Sequence, residues 1–293
     1  MKKAEQTAAP AEIENRPPYE YLYIYYLIGR AEGAGQFFGP AFIGNWEEDG
    51  FSFLFFSEPA DGEVRAFLEK HPTLTLTDQY RMTYEEWQGG RIAPMNVGEF
   101  YICPPWNCSA NNIEYEGNAQ GYQILMDPGV VFGTGLHPTT RDCLKAISWL
   151  FSRNAMETAL DLGTGTGLLS LAAAKLGCKK CLAVDFNLLA AGTALRNVLL
   201  NDLDENILVV HGRAENFLTT PADLLIANIH YDVMKKIIQA EGFLQKKWFI
   251  LSGLFRSQAR IIEEELKRTG AEIVKKWEQE YIWHTILCRF VNR

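Results

Sequence analysis

The sequence predicts an α/β protein in two parts, a small α+β unit followed by a doubly wound, mainly parallel sheet. Three observations carry that prediction. From Asp127 onward short apolar runs alternate with Leu/Ala-rich amphipathic stretches, the pattern of strands joined by crossover helices. One of those crossovers starts with a glycine-rich turn, Asp161-Leu-Gly-Thr-Gly-Thr-Gly167. Residues 18–78 lack the alternation and instead show aromatic, β-prone runs around a single helix.

In chain order, residues 1–17 are polar and Ala/Pro-rich and are expected to be a disordered tail. Tyr19–Ile28 is aromatic and strand-like. Phe42–Trp46 and Phe51–Phe56 flank the turn Glu47-Glu-Asp-Gly50 and predict a hairpin. Asp61–His71 carries Val64, Phe67 and Leu68 at helical spacing and is stopped by Pro72. Leu74–Met82 completes the unit as a further strand. Gly29–Pro40 is Gly-rich and predicts no helix. Residues 79–125, with Pro94, Pro104, Pro105 and few periodic runs, are expected to be a linker segment.

The second domain covers 126–293. Its expected elements are a helix at Thr139–Phe151, a strand at 157–162, a helix at 166–176 and a strand at 181–185. They continue with a helix at 188–200, strands at 207–211 and 223–228, and a helix at 231–242. A strand at 248–252, a helix at 257–268 and two closing strands at 272–278 and 282–290 finish the chain.

The glycine turn is the most informative chemistry. Glycine allows positive φ and lets a ligand lie against the backbone. In an open α/β sheet such a turn sits at the carboxyl end of a strand, where nucleotide-like ligands bind. Asp185 ends the next strand and is placed to accept hydrogen bonds from a ribose. Together they indicate an adenosine cofactor. A dinucleotide fingerprint needs G-x-G-x-x-G. Counted from Gly163 the third glycine would fall on Leu168, and counted from Gly165 on Ser170. Nicotinamide chemistry is therefore excluded on spacing.

Net charge of −8 argues against a broad nucleic-acid surface but leaves a basic protein partner open. No apolar run approaches the length of a membrane span. Met1-Lys-Lys-Ala-Glu-Gln-Thr lacks a signal-peptide core, so a cytoplasmic location and reduced cysteines are expected. Cys178-Lys-Lys-Cys181 has metal-ligand spacing, yet no second pair completes a site, so packing is the favoured reading over zinc.

Upstream of the turn lies Asp127-Pro-Gly-Val-Val-Phe-Gly-Thr-Gly-Leu-His-Pro-Thr-Thr140. Three glycines and two prolines preform a loop, and Thr139 or Thr140 can cap the next helix. The pattern D-x-G-x-G-x-G with a distal acid resembles the class I S-adenosylmethionine methyltransferases, which implies a Rossmann-like seven-stranded domain. The 127–140 segment, the turn, Ala227-Asn-Ile229, Leu251-Ser-Gly-Leu254 and Ile102-Cys-Pro-Pro-Trp106 together resemble the ribosomal protein L-eleven (L11) methyltransferase family, PrmA.

That resemblance implies S-adenosyl-L-methionine as cofactor, contacted by Thr140, Gly163, Asp185 and Asn228, with Asp161, Gly165 and Gly167 completing the turn. It places Phe132, Gly133 and Thr134 near the methionine part. It implies methylation of a lysine side chain or N-terminal α-amine of ribosomal protein L11. The amide carbonyl of Asn228, at a strand end, is a separate candidate for orienting the amine. Residues 18–78 would be the substrate-recognition unit, and a monomer is expected. His230 stands where the family has an aliphatic residue, so another protein or a small amine stays open as substrate. His137 is expected to brace its loop. A cofactor-binding module without turnover is disfavoured because the Thr140–Asn228 constellation is intact.

Overall fold

The structure is a computed structural model that describes residues 16–48, 50–108 and 121–290. Most of the expected tail, and residues 109–120, lie outside the described residues. The first sheet contains β1 (Tyr21–Ile28), β2 (Phe42–Glu48), β3 (Phe51–Phe56) and β4 (Thr75–Thr83) in the order β2-β3-β1-β4. All its pairings are antiparallel. α1 (Ala34–Phe37) follows β1, and α2 (Asp61–Lys70) follows β3. The single turn of α1 corrects the expectation that Gly29–Pro40 holds no helix. It forms because Gly33 takes φ 78° and turns Ala34 and Phe38 into the core.

Alternation along the strands gives this sheet two apolar faces. Tyr25, Leu27, Leu54 and Phe56 pack with Val64 and Phe67 of α2. Leu22, Ile24 and Phe55 point the other way, onto residues of the second domain.

The segment 79–125 is more than a linker. α3 (Tyr84–Trp87) is one turn closed by a capping box: Glu86 N donates to Thr83 Oγ1, and Thr83 N to the Glu86 carboxylate. β5 (Met95–Val97), β6 (Phe100–Cys103) and β7 (Tyr122–Leu125) form a separate three-stranded sheet. Val97, Phe100, Ile102 and Ile124 are buried in the main core. Strands this short leave little periodicity to read. Cys103 and Cys108 are joined by a disulfide, which corrects the expectation that all cysteines are reduced.

The main sheet follows α4 (Pro138–Phe151) and is built from β8 (Thr158–Leu162), α5 (Leu168–Lys175), β9 (Lys180–Asp185), α6 (Leu188–Leu200) and β10 (Ile207–His211). It continues through β11 (Leu224–Asn228), α7 (Tyr231–Gln239), β12 (Trp248–Phe255), α8 (Arg256–Thr269), β13 (Ala271–Gln279) and β14 (Trp283–Phe290). The order is β10-β9-β8-β11-β12-β14-β13, with β14 antiparallel to both neighbours and the other pairings parallel. Cores lie on both faces, one with α4 and α5, the other with α7 and α8.

The order in which the chain adds strands reverses between the parallel neighbours β8 and β11, so a crevice opens at their carboxyl ends. The glycine turn leaves β8 there, and Asn228 ends β11. Two expected bounds move. α7 stops at Gln239, where Ala240 turns extended, and β12 runs on to Phe255 through a register shift at Leu251/Leu254.

Candidate functional site

The turn 163–167 needs its glycines for space as well as for φ. Gly163, Gly165 and Gly167 all have positive φ, at 72°, 56° and 84°. A Cβ on Gly165 would sit 2.5 Å from the carbonyl oxygen of Phe132, and one on Gly163 would overlap the Ile229 side chain. Gly163 N and Thr164 N both donate to Val184 O, which fixes the turn against the end of β9.

Asp161 is 1% exposed under this turn, and its Oδ2 accepts from Thr164 Oγ1 and Ser170 Oγ, each at 2.6 Å. Its Oδ1 is buried with no hydrogen-bond partner. Burial pushes the Asp161 carboxyl up to about 6, against the pull of the two hydroxyl donors. Asp185 is also buried. Its Oδ2 accepts from Gly165 N and its Oδ1 from Asn187 N, each at 2.9 Å. Burial raises its pKa, and those N–H groups act the other way. A carboxylate has about four acceptor positions, so Asp185 can hold the turn and still accept from a ligand. Phe186, 59% exposed, follows it.

The 127–140 loop lies directly on the turn. Thr166 N donates to Phe132 O at 3.2 Å, and Thr166 Oγ1 to Gly133 O at 2.7 Å. Thr134 is half-buried, and the Phe132 side chain is 73% exposed. His137 is the N-cap of α4, accepting from Thr139 N, and its ring meets Trp283 edge-on at 4.7 Å. Burial lowers its pKa. Trp283 in turn stacks on Phe255 at 4.6 Å, made reachable by the extension of β12.

Thr140 is buried, and Asn228 Nδ2 donates to Thr140 Oγ1 at 3.4 Å across the crevice. That contact directs the Asn228 carbonyl oxygen elsewhere, toward the bulge at Gly253. His230 caps α7 by position only and is exposed, its nearest charged neighbour being Asp232 at 3.7 Å.

The structure thus brings Phe132, Gly133, Thr140, Asp161, Gly163, Gly165, Gly167, Asp185 and Asn228 to one end of the parallel strands. Sequence reasoning missed Asn197. Its amide donates to Asp127 O and Thr166 O, both at 2.9 Å, and accepts from Asp127 N, tying loop to turn. The available signal was a lone amide in the apolar helix 188–200. Trp46 and Tyr84, which also touch the loop, are invisible without tertiary structure.

Cys178 and Cys181 are buried, and burial pushes the Cys178 thiol up to about 11. Cys178 Sγ donates to Glu157 O and Lys180 O. Among the described residues no group of three His, Cys, Asp or Glu could hold a metal ion. Among them, too, no helix is long and apolar enough to cross a membrane.

A seven-stranded sheet with one reversed strand, a glycine turn after its central strand and an acid ending the neighbouring strand define a class I methyltransferase fold. Residues 65–290 match the family model described as Ribosomal protein L11 methyltransferase (PrmA). The chain belongs to that family.

It is similar to the Ribosomal protein L11 methyltransferase of Listeria welshimeri, 34% identical over 196 residues, which are 64% of this chain and 58% of the relative. It is 30% identical over 220 residues to the protein of the same name from Clostridium perfringens, covering 71% of this chain and 66% of that one. The matched region therefore spans 58% and 66% of the length of these curated relatives. Among solved structures it resembles a ribosomal protein L11 methylase from Lactobacillus delbrueckii subsp. bulgaricus, with a TM-score of 0.55 and 25% identity. That match covers 68% of this chain and 100% of the other.

Proposed function

We propose that this protein is a cytoplasmic S-adenosylmethionine-dependent methyltransferase acting on amino groups, lysine or N-terminal, of ribosomal protein L11. The observation that carries the reading is the 127–140 loop bonded onto the glycine turn, with Asn228 and Thr140 meeting across the crevice beside it.

The residues present fit the cofactor. Buried Asp161 Oδ1 has an open acceptor position for a cationic group. The positive-φ glycines leave backbone bare for close approach, and exposed Phe186 beside Asp185 offers a ring face to a base. Asp161, Gly163, Gly165, Gly167 and Asp185 would hold the cofactor from the strand side. Phe132, Gly133, Thr134 and Thr140 would hold it from the loop side. The cofactor supplies a methyl group already activated on sulfur.

The protein's own work is alignment and exclusion of water, and proximity and orientation are worth roughly 7–11 kcal/mol. In this reading the amine approaches past the bulge at Gly253, where the Asn228 amide carbonyl faces while its NH₂ is held by Thr140, and that carbonyl accepts from it. A lysine titrates near about 10.4 and an α-amine near about 7.7–8.0. A desolvated, carbonyl-lined slot lowers the cost of presenting the lysine uncharged. Asn228 therefore belongs to both cofactor and catalysis in this reading.

Residues 18–78 are proposed to recognise the protein substrate. They hold ten Asp and Glu against three Lys and Arg, which suits a basic protein surface. Deleting them is a poor test of that role. Leu22, Ile24 and Phe55 share a core with Val130, Val131 and Leu189, so deletion would strip the loop as well.

The test is incubation of the full chain with labelled S-adenosylmethionine and purified ribosomal protein L11, followed by mass mapping. Label on lysine or the N-terminal amine of L11 is the expected result. An unlabelled L11 beside a chain that binds the cofactor shifts the target to another protein or a small amine.

A further inference from the structure

The loop 127–134 is held from two sides. On its inner side, Phe132 O and Gly133 O accept from Thr166 of the glycine turn. On its outer side, the partners come from the N-terminal half of the chain. Trp46 of β2 meets the Phe132 ring edge-on, centroids 5.4 Å apart. Tyr84 OH donates to Asp127 Oδ1 at 2.7 Å, and Gln88 Nε2 donates to Gly129 O at 2.6 Å.

β2 also reaches the cofactor side of the main sheet. A Cβ on Gly44 would lie 2.7 Å from Leu189 Cδ1 and 3.2 Å from Leu189 Cβ, so the glycine lets β2 rest on the start of α6. Next to it Asn187 Nδ2 donates to Asn45 O at 3.4 Å. Asn187 N is the donor to Asp185. The first sheet therefore touches both structures that flank the turn: the loop through Trp46 and the acid-bearing strand end through Asn45.

A loop fastened on both sides cannot close on the turn independently of the sheet that backs it. We propose that Trp46 and Tyr84 are positioning residues for the cofactor. They hold 127–134 against the turn, so that cofactor occupancy and the seating of the N-terminal sheet favour each other. The inference rests on the turn being the S-adenosylmethionine site. Coupling of this kind is reciprocal. A ligand under the loop must steady β2, and a loosened β2 must weaken the ligand.

The experiment uses the full chain and S-adenosylhomocysteine, the demethylated cofactor, as probe. Calorimetry gives affinity, stopped flow gives dissociation, and amide hydrogen exchange reads 128–135 and 42–48. In the wild type the probe should slow exchange in both segments. Trp46→Ala should weaken binding about three- to tenfold, the range an edge-on aromatic pair supplies, mainly through faster dissociation. It should also abolish the probe's effect on 42–48, and Trp46→Phe should restore most of both. Tyr84→Phe should act in the same direction. Wild-type affinity in a folded Trp46→Ala protein, or protection confined to 128–135 in the wild type, overturns the coupling alone. No binding to the wild type overturns the cofactor reading and the coupling with it.

Discussion

The two large sheets bury their faces in different ways, and the difference separates what is local in this protein from what is not. The seven-stranded sheet covers both faces with helices of its own domain. The four-stranded sheet covers one face with α2 and gives the other to the loop 127–134 and α6. The first arrangement makes a self-contained frame on which a turn can be held rigidly. The second makes the front sheet a wall of the site. A cofactor site built on the frame is encoded by adjacent residues; its outer half is encoded by residues far away in the chain.

The sharpest test of this contrast acts on the frame. Gly165→Val puts a branched side chain at φ 56° with its Cβ 2.5 Å from a backbone carbonyl. Backbone strain of this kind costs about 1–3 kcal/mol, and displacement of the loop adds to it. We expect at least roughly 10²-fold weaker S-adenosylhomocysteine binding by calorimetry. Next in size is Asn228→Ala. It should lower turnover by roughly 10²-fold, as loss of one preorganised polar group does, while affinity for the same probe changes only a few-fold. Unchanged turnover would remove Asn228 from amine orientation.

The carboxyl of Asp161 supplies a pH test. Its folded pKa is raised to about 6 by burial, so the empty site holds it protonated below that pH. Binding a cationic group favours the ionised form. Affinity should therefore be full above about pH 7 and fall below pH 6, by at most about tenfold per pH unit. Asp161→Asn should flatten the profile, which calorimetry between pH 5 and 8 would show.

Effects outside the frame should be smaller. Tyr84→Phe removes a buried donor to Asp127 and should cost about 1–2 kcal/mol of stability, read as a lowered midpoint in thermal unfolding. Leu76→Ala, on the exposed edge strand β4 within the proposed recognition unit 18–78, should reduce L11 methylation modestly without altering probe affinity. A change in affinity there would mean that β4 also supports the cofactor.

Legibility followed the same division. The order of helices and strands from Thr139 to Phe290 is plain in the sequence because each element is long and periodic. The turn is plain because its glycines, Asp161 and Asp185 sit at fixed offsets. The strands β5, β6 and β7 escaped because three or four residues carry no period, and their burial is decided by α4 and α5. Phe255 reaches Trp283 only through the bulge at Gly253, which lengthens β12. Asp185 was legible as an acceptor, but its bonds to Gly165 N and Asn187 N were not, since backbone donors leave no mark on side-chain identity. Trp46 lies 86 residues before Phe132 by numbering, and nothing in either segment announces the pairing.

The glycine turn and its overlying loop are proposed to form the cofactor site. Calorimetric titration of the full chain with S-adenosylhomocysteine tests that proposal most directly, run on wild type and Gly165→Val in parallel. The expected result is one site per chain in the wild type and at least roughly 10²-fold weaker binding in the variant. Absence of binding to the wild type, or equal binding to both, would contradict the proposal.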